Sequence, residues 1–195
     1  MNGLNDPAAP VAPALVDETL SLFSSICDAT TSALASTDDW GPSGRREGQY
    51  AADLLLDGLC LPPLLDAGFS VLSEESGVQQ APSGSRGLVV VDPLDGSTNA
   101  SLGLPWCATS LCLVLGDAPA VSTVANLRTG RRFTAVAGQG AWCDGRRLGP
   151  LTDTTLDDAI IAMSGPADHH YGWRQFRAMG ASALDLCEVA TGAFQ

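Results

Sequence analysis

From Val89 to Asn99 the chain reads Val-Val-Val-Asp-Pro-Leu-Asp-Gly-Ser-Thr-Asn. A short β-branched run, entered from Gly87, is the pattern of a buried strand, and it stops abruptly in two acids, a proline, a glycine and two hydroxyl residues. Pro93 fixes its own φ and biases Asp92 toward an extended conformation, while Asp95-Gly96 favours a tight turn. The two carboxylates, three residues apart, can therefore converge on one point. At about 5 Å they would repel by roughly 3 kcal/mol at an effective dielectric of about 20, and a hard divalent cation turns that repulsion into attraction. Alone, the pattern also fits a solvated turn after an edge strand. Ser73-Glu74-Glu75-Ser76 shifts the reading, because it follows the apolar run from Phe69 to Leu72 and places further acids at the end of a second strand. Two strand ends bearing acids point to one cation site.

The chain's 195 residues suit one domain, or a domain and part of another. That length can bury about 70% of the unfolded chain's surface. Hydrophobic residues at 45% and charged residues at 16% are globular proportions, and no run approaches the ~18 apolar residues that span a membrane. Met1 to Pro13 has no basic residue ahead of its apolar part and carries Pro7, Pro10 and Pro13. It reads as a flexible lead-in of residues 1–13 to a domain of residues 14–195, in a cytoplasmic protein. A net charge of −12, with arginine the only strongly basic residue, argues against nucleic-acid binding, since no basic field attracts phosphates. An anionic substrate would need a metal to meet it. The six cysteines form no C-x-x-C pair, which disfavours a zinc site and disulfides.

Helical spacing of apolar residues predicts a first helix from Ala14 to about Leu34 and a second from about Gln49 until Pro62-Pro63 ends it. Asp53 and Asp57 fall one turn apart on the second, with Asp57 expected on a solvated face. Apolar runs at 105–115, 120–127 and 131–136, then Gly138 to Cys143 closed by Asp144-Gly145, predict successive hairpins and an antiparallel sheet. Gly138-Gln139-Gly140 lacks the third glycine of a nucleotide loop and is read as a turn. Leu156 to Met163 is expected to be a strand. His169-His170-Tyr171 is expected to open a helix through Met179, with both histidines on the surface and no metal role.

The acid-bearing segments resemble the inositol monophosphatase family of metal-dependent phosphatases, whose signature is Gly-Glu-Glu followed by Asp-Pro-hydrophobic-Asp-Gly-Thr/Ser-x-Asn. Residues 180–192 are similar to that family's Gly-Ser-Ala-Ala-Leu-Asp-Leu-Cys-x-Val-Ala-x-Gly helix, and the resemblance runs from about Leu15 to Gln195. It implies an α+β fold: a layered α-β-α-β-α sandwich of the inositol monophosphatase/fructose-bisphosphatase type, N-terminal helices plus an antiparallel sheet, with the second α/β part incomplete. It also implies a Mg²⁺-dependent phosphomonoesterase for a small polyol phosphate, inositol 1-phosphate first, in a homodimer. Histidinol phosphate, fructose bisphosphate and nucleotide 3′-phosphates are the alternative substrates. Phosphate monoesters hydrolyse so slowly in water that a metal must both activate the water and neutralise the phosphate.

Carried onto this chain, the resemblance assigns Glu74 and Asp92, with the Leu94 carbonyl, to a first metal, and Asp92 with Asp95 to a second. Ser97 and Glu74 would orient the attacking water, and the amides of Gly96, Ser97 and Thr98 would cradle phosphate. Asp95, Gly180, Ala181 and Ser182 would face the substrate, although Gly180 to Ser182 read equally well as a plain helix start with Asp185 and Glu188 complementing its dipole. Asp185 is read as structural. Asp53 and Glu75 would support the ligands from behind. The family's Asp-x-Val-Thr-x-x-Asp is Glu47-Gly48-Gln49-Tyr50-Ala51-Ala52-Asp53 here, so its first acid and its hydroxyl are not reproduced. The family's Trp-Asp-x-Ala-Ala-Gly turn, which supplies a further metal ligand, is not found: Trp40, Trp106, Trp142 and Trp173 precede Gly, Cys, Cys and Arg. The chain thus looks like a C-terminally truncated member with little or no activity of its own. The alternative is a metal- or partner-binding remnant that is not an enzyme.

Overall fold

The computed structural model describes residues 11–195. Helix α1, Pro13–Ser36, buries Val16, Phe23, Ile26, Cys27, Thr30 and Leu34 along one stripe. Pro13 sits in its first turn, where the missing N–H is not needed. The lead-in therefore ends sooner than expected: Val11 already packs in the core, and the remainder, residues 1–10, lies outside the described residues.

Helix α2, Ala51–Asp66, runs straight through Pro62 and Pro63 where a stop was expected. An interior proline costs about 3 kcal/mol. Leu56, Cys60 and Leu64 are each fully buried on the α2 face, and a buried leucine contributes about 1.5–3 kcal/mol, so packing on both sides of the prolines holds the helix. Asp57 departs from expectation for the same reason. It is 5% exposed and accepts a hydrogen bond from Ser73 Oγ, which ties α2 to the end of the first strand.

The strands are β1 Ser70–Ser73, β2 Gly77–Gln79, β3 Leu88–Asp95, β4 Ala108–Leu115, β5 Ala118–Asn126, β6 Arg132–Val136, β7 Gly140–Cys143 and β8 Arg146–Arg147. They form one sheet in the order β2-β1-β3-β4-β5-β6-β7-β8. From β3 to β8 the pairing is antiparallel through hairpins, as the turn residues imply. The pair β1–β3 is parallel, with Ser70 opposite Leu88 and Ser73 opposite Val91, so the sheet is mixed. That pairing has a functional consequence, because both strands then end at the same edge with their acids side by side.

Alternation assigns the two faces. Val71, Val89, Val91, Leu111, Leu113 and Val121 pack with α1 and α2 in the main core. The opposite face, with Ala108 and Phe133, meets Leu184 of helix α4, Ser182–Thr191. Two expected elements differ. Leu156–Asp158 is a 3₁₀ turn leading into β9, Ile160–Ala162, and the expected helix at 169–179 is instead a turn followed by β10, Gln175–Arg177, parallel to β9. Gly172 takes φ 103°, and His170 stacks 4.5 Å from Trp173, which is 8% exposed. Burial of the tryptophan with a glycine bend outweighs the weak helical pattern, while both histidines are exposed. Helices, mixed sheet and the further helix together make an α+β architecture. None of the described helices is long and apolar enough to cross a membrane.

Candidate active site

Because β1 and β3 run parallel, Glu74 N donates to Val91 O at 3.0 Å and the acid leaves the sheet beside Asp92. Beyond Asp92 the β3–β4 ladder slips: Asp92 faces Ser110 and Asp95 faces Ala108, so β3 holds one residue more than its partner. The bulge turns on Pro93, which has no N–H to leave unpaired, and Leu94 N donates to Asp92 Oδ1 at 3.1 Å. Thr109 Oγ1 donates to Pro93 O at 2.8 Å. Leu94 buries its side chain among Leu34, Leu56, Ala100 and Leu127 yet lines the acidic cavity, so its main chain is what the cavity meets.

Gly96 follows with φ 81° and starts the short helix α3, Ser97–Ser101. A Cβ there would lie 2.9 Å from Trp106 O and 3.0 Å from both Gly180 O and Ala181 Cβ, so only glycine fits. Asn99 Nδ2 donates to Trp106 O at 2.8 Å and Met179 O at 2.7 Å, which fastens the 179–182 segment to the turn. Ser182 N and Ala183 N then donate to the two carboxylate oxygens of Asp95 at 3.2 and 2.6 Å. Asp95 thereby caps α4, whose own N-cap, Ala181, has no side-chain acceptor.

A cavity of about 290 Å³ opens over these strand ends and is lined by Arg46, Gln49, Asp53, Glu74, Glu75, Asp92, Leu94, Asp95, Gly96 and Ser97, among others. Burial, then the neighbouring charges of Glu74 and Asp95, raise the Asp92 carboxyl far above its ordinary range. Burial raises Asp95 too, against the opposing bonds from the Ala183 and Ser182 amides. Asp53, 3% exposed, is raised to about 6, chiefly by burial. Its Oδ2 accepts from Tyr50 N at 2.8 Å, and its Oδ1 is buried with no partner. Among the described residues, no three His, Cys, Asp or Glu side chains meet at one point. The arrangement works in pairs: Glu74 with Asp92 near the Leu94 main chain, and Asp92 with Asp95. Hard oxygen donors, an orphaned carboxylate oxygen and carboxylates destabilised by each other's charge suit a hard divalent cation such as Mg²⁺.

Glu74, Glu75, Asp53, Asp92, Leu94, Asp95, Gly96 and Ser97 are thus brought together, and Thr98 is exposed beside them. Gly180, Ala181 and Ser182 do not line the cavity. Ala181 is 1% exposed behind Gly96, so this segment braces the turn and Asp95. Asp185 is structural as expected, accepting from Trp106 Nε1 at 2.9 Å. Glu188 does not complement the α4 N-terminus: it lies in the second half of the helix and pairs with Arg131 at 2.5 Å. Sequence reasoning missed Arg46, Gln49 and Thr109. Gln49 stands where the family's Asp-x-Val-Thr pattern has valine, and that departure was its only signal; Arg46, one residue ahead of the pattern, had none.

The sequence profile of the inositol monophosphatase family matches residues 65–195. A fructose-1,6-bisphosphatase of Pyrococcus furiosus is 34% identical over 154 residues, covering 78% of this chain and 59% of the relative. A fructose-1,6-bisphosphatase/inositol-1-monophosphatase of Thermococcus kodakarensis is 38% identical over 144 residues, covering 72% and 55%. Among solved structures, the extragenic suppressor protein suhB of Bartonella henselae matches with a TM-score of 0.77 at 26% identity, over 91% of this chain and 76% of that one. The chain spans a little over half the length of these two curated relatives.

Proposed function

The chain belongs to the inositol monophosphatase family, and we propose that it serves a Mg²⁺-dependent phosphomonoesterase acting on a small polyol phosphate, inositol 1-phosphate first. The observation that carries this reading is the convergence of Glu74, Asp92, Asp95 and Asp53 on one cavity. Glu74, Asp92 and the Leu94 carbonyl would hold one cation, and Asp92 with Asp95 a second. Bound there, the metal lowers the pKa of a water and neutralises phosphate charge.

The chain's own residues do the positioning. Ser97 and Glu74 line the cavity on opposite sides of Asp92 in sequence and would orient the attacking water, while the amides of Gly96, Ser97 and Thr98 would receive phosphate oxygens. Asp95 is held by the α4 amides, so its carboxylate presents a fixed edge to substrate hydroxyls. Asp53 and Glu75 brace the ligands, Glu75 through Arg46 and Gln49. A fructose bisphosphate substrate is the second reading, favoured by the names of both curated relatives. The net charge of −12 supports a protein without nucleic-acid partners; a cytoplasmic location is proposed from the composition of residues 1–13, and a homodimer on family grounds, the latter tested by light scattering.

The test is phosphate release from inositol 1-phosphate and fructose 1,6-bisphosphate at saturating Mg²⁺ by the chain with a relative's C-terminal segment appended, with Asp92 in place and with Asp92→Asn. Release that requires Mg²⁺ and vanishes in the variant supports the reading. Equal turnover by Asp92→Asn overturns it.

A further inference from the structure

Among the described residues, Arg46 is the one cationic side chain lining the acidic cavity, where Glu47, Asp53, Glu74, Glu75, Asp92 and Asp95 also reach the wall. It is held there by a built network. Nη1 donates to Glu74 O at 3.0 Å, Nη2 to Glu75 Oε2 at 2.8 Å, and Nη2 lies 3.6 Å from Glu74 Oε1. The Glu75 carboxylate is 6% exposed and also receives Gln49 Nε2. Gln49 is 4% exposed, its Oε1 accepts from Ser43 Oγ at 2.5 Å, and Ser43 N donates to Gln49 O at 2.8 Å, which closes the loop on itself. The anchor is therefore buried while the Arg46 side chain stays 48% exposed at the cavity wall.

That division suits a group presented to a ligand. A phosphate dianion entering among six carboxylates is repelled unless positive charge meets it, and the guanidinium fork matches phosphate oxygens in geometry. Its Nε–H and the second hydrogen of each terminal nitrogen are not used by the bonds above. With Glu74 committed to a cation, the guanidinium also loses its weaker anionic neighbour, at 3.6 Å, and keeps the stronger, Glu75. We propose that Arg46 is a substrate-binding residue that grips the phosphoryl group of the ester, pre-aimed by buried Glu75 and Gln49. The inference rests on the phosphatase reading of the cavity.

Calorimetric titration of the full chain separates this role from a merely structural one. Mg²⁺ is titrated first, then inorganic phosphate into the Mg²⁺-saturated protein, for wild type, Arg46→Ala, Arg46→Gln and Arg46→Lys. Gln keeps a hydrogen bond to Glu75 without the charge, so a variant that folds is available. Phosphate affinity falls roughly 10- to 100-fold in Ala and Gln, the range of one lost charge-assisted hydrogen bond, and is partly restored in Lys. Mg²⁺ affinity does not weaken in any variant, because a competing cation has been removed or kept. Unchanged phosphate binding in Arg46→Gln overturns the proposal, and so does a joint loss of Mg²⁺ and phosphate, which would make Arg46 a prop for Glu74. A wild-type chain that takes up neither ligand overturns the phosphatase reading and this inference with it.

Discussion

Thr109 Oγ1 donates to the carbonyl of Pro93 at 2.8 Å and lies 3.0 Å from Thr30 Oγ1, so one fully buried hydroxyl connects helix α1 to the bulge that carries Asp92 and Asp95. The Pro93 carbonyl has left the β-ladder, and Thr109 is its replacement partner. Thr109→Val keeps the shape and removes the donor. We predict a loss of about 1–3 kcal/mol in denaturant unfolding, the cost of a buried carbonyl left unsatisfied. Mg²⁺ affinity should drop about 10- to 100-fold, as when a ligand's supporting partner is removed, and Thr109→Ser should recover both. A variant with wild-type Mg²⁺ affinity would show that the bulge holds its shape without this bond.

Gly96 and Gly138 both take positive φ, at 81° and 73°, but only Gly96 is crowded, with Trp106 O 2.9 Å from where a Cβ would stand and nothing within 4 Å at Gly138. Gly138→Ala should cost about 1 kcal/mol for backbone conformation alone. Gly96→Ala must also displace two backbone carbonyls, and urea titration should place it at least about 1 kcal/mol lower still. Equal losses would mean that the 179–182 segment yields freely.

The raised carboxyls give a pH dependence of definite sign. Asp53, raised to about 6, and Asp92 and Asp95, raised in the same direction, bind protons more tightly folded than unfolded. Their contribution is fully present below the unfolded values near 4 and is lost as pH rises through the folded ones. In the absence of metal, Asp92→Asn, which stays neutral, should therefore gain in Tm over wild type on going from pH 5 to pH 8. Saturating Mg²⁺ should reverse the order at pH 8, since cation binding requires the ionised carboxylates. A Tm difference that does not change with pH would contradict the shifts.

What was legible in the sequence was local. Asp92 to Asn99 sits on consecutive residues whose turn chemistry dictates a bend, and Glu74 follows the short apolar run from Phe69 to Leu72 that reads as a strand, so both acidic ends could be read without tertiary information. Their meeting through a parallel β1–β3 pair could not, because hairpin signals report only antiparallel neighbours. Asp57 was assigned to the wrong face because helical periodicity does not reveal a hydroxyl such as Ser73, 16 residues away, waiting to pair with it. The run of α2 past Pro62 and Pro63 likewise depends on the burial of Leu64, a tertiary term that no proline rule contains. Arg46 reaches its partners 28 and 29 residues on, and the α4 amides reach Asp95 across 87 and 88, distances at which residue pattern carries no signal.

The central claim is that Glu74, Asp92 and Asp95 form a divalent-cation site. Calorimetric titration of Mg²⁺ into metal-free protein at pH 8 tests it most directly, comparing wild type with Asp92→Asn, the acid placed in both pairs. We predict saturable Mg²⁺ binding by wild type, accompanied by proton release, and no measurable binding by the variant at the same concentrations. Equal binding by the two proteins, or none by wild type, would contradict the account.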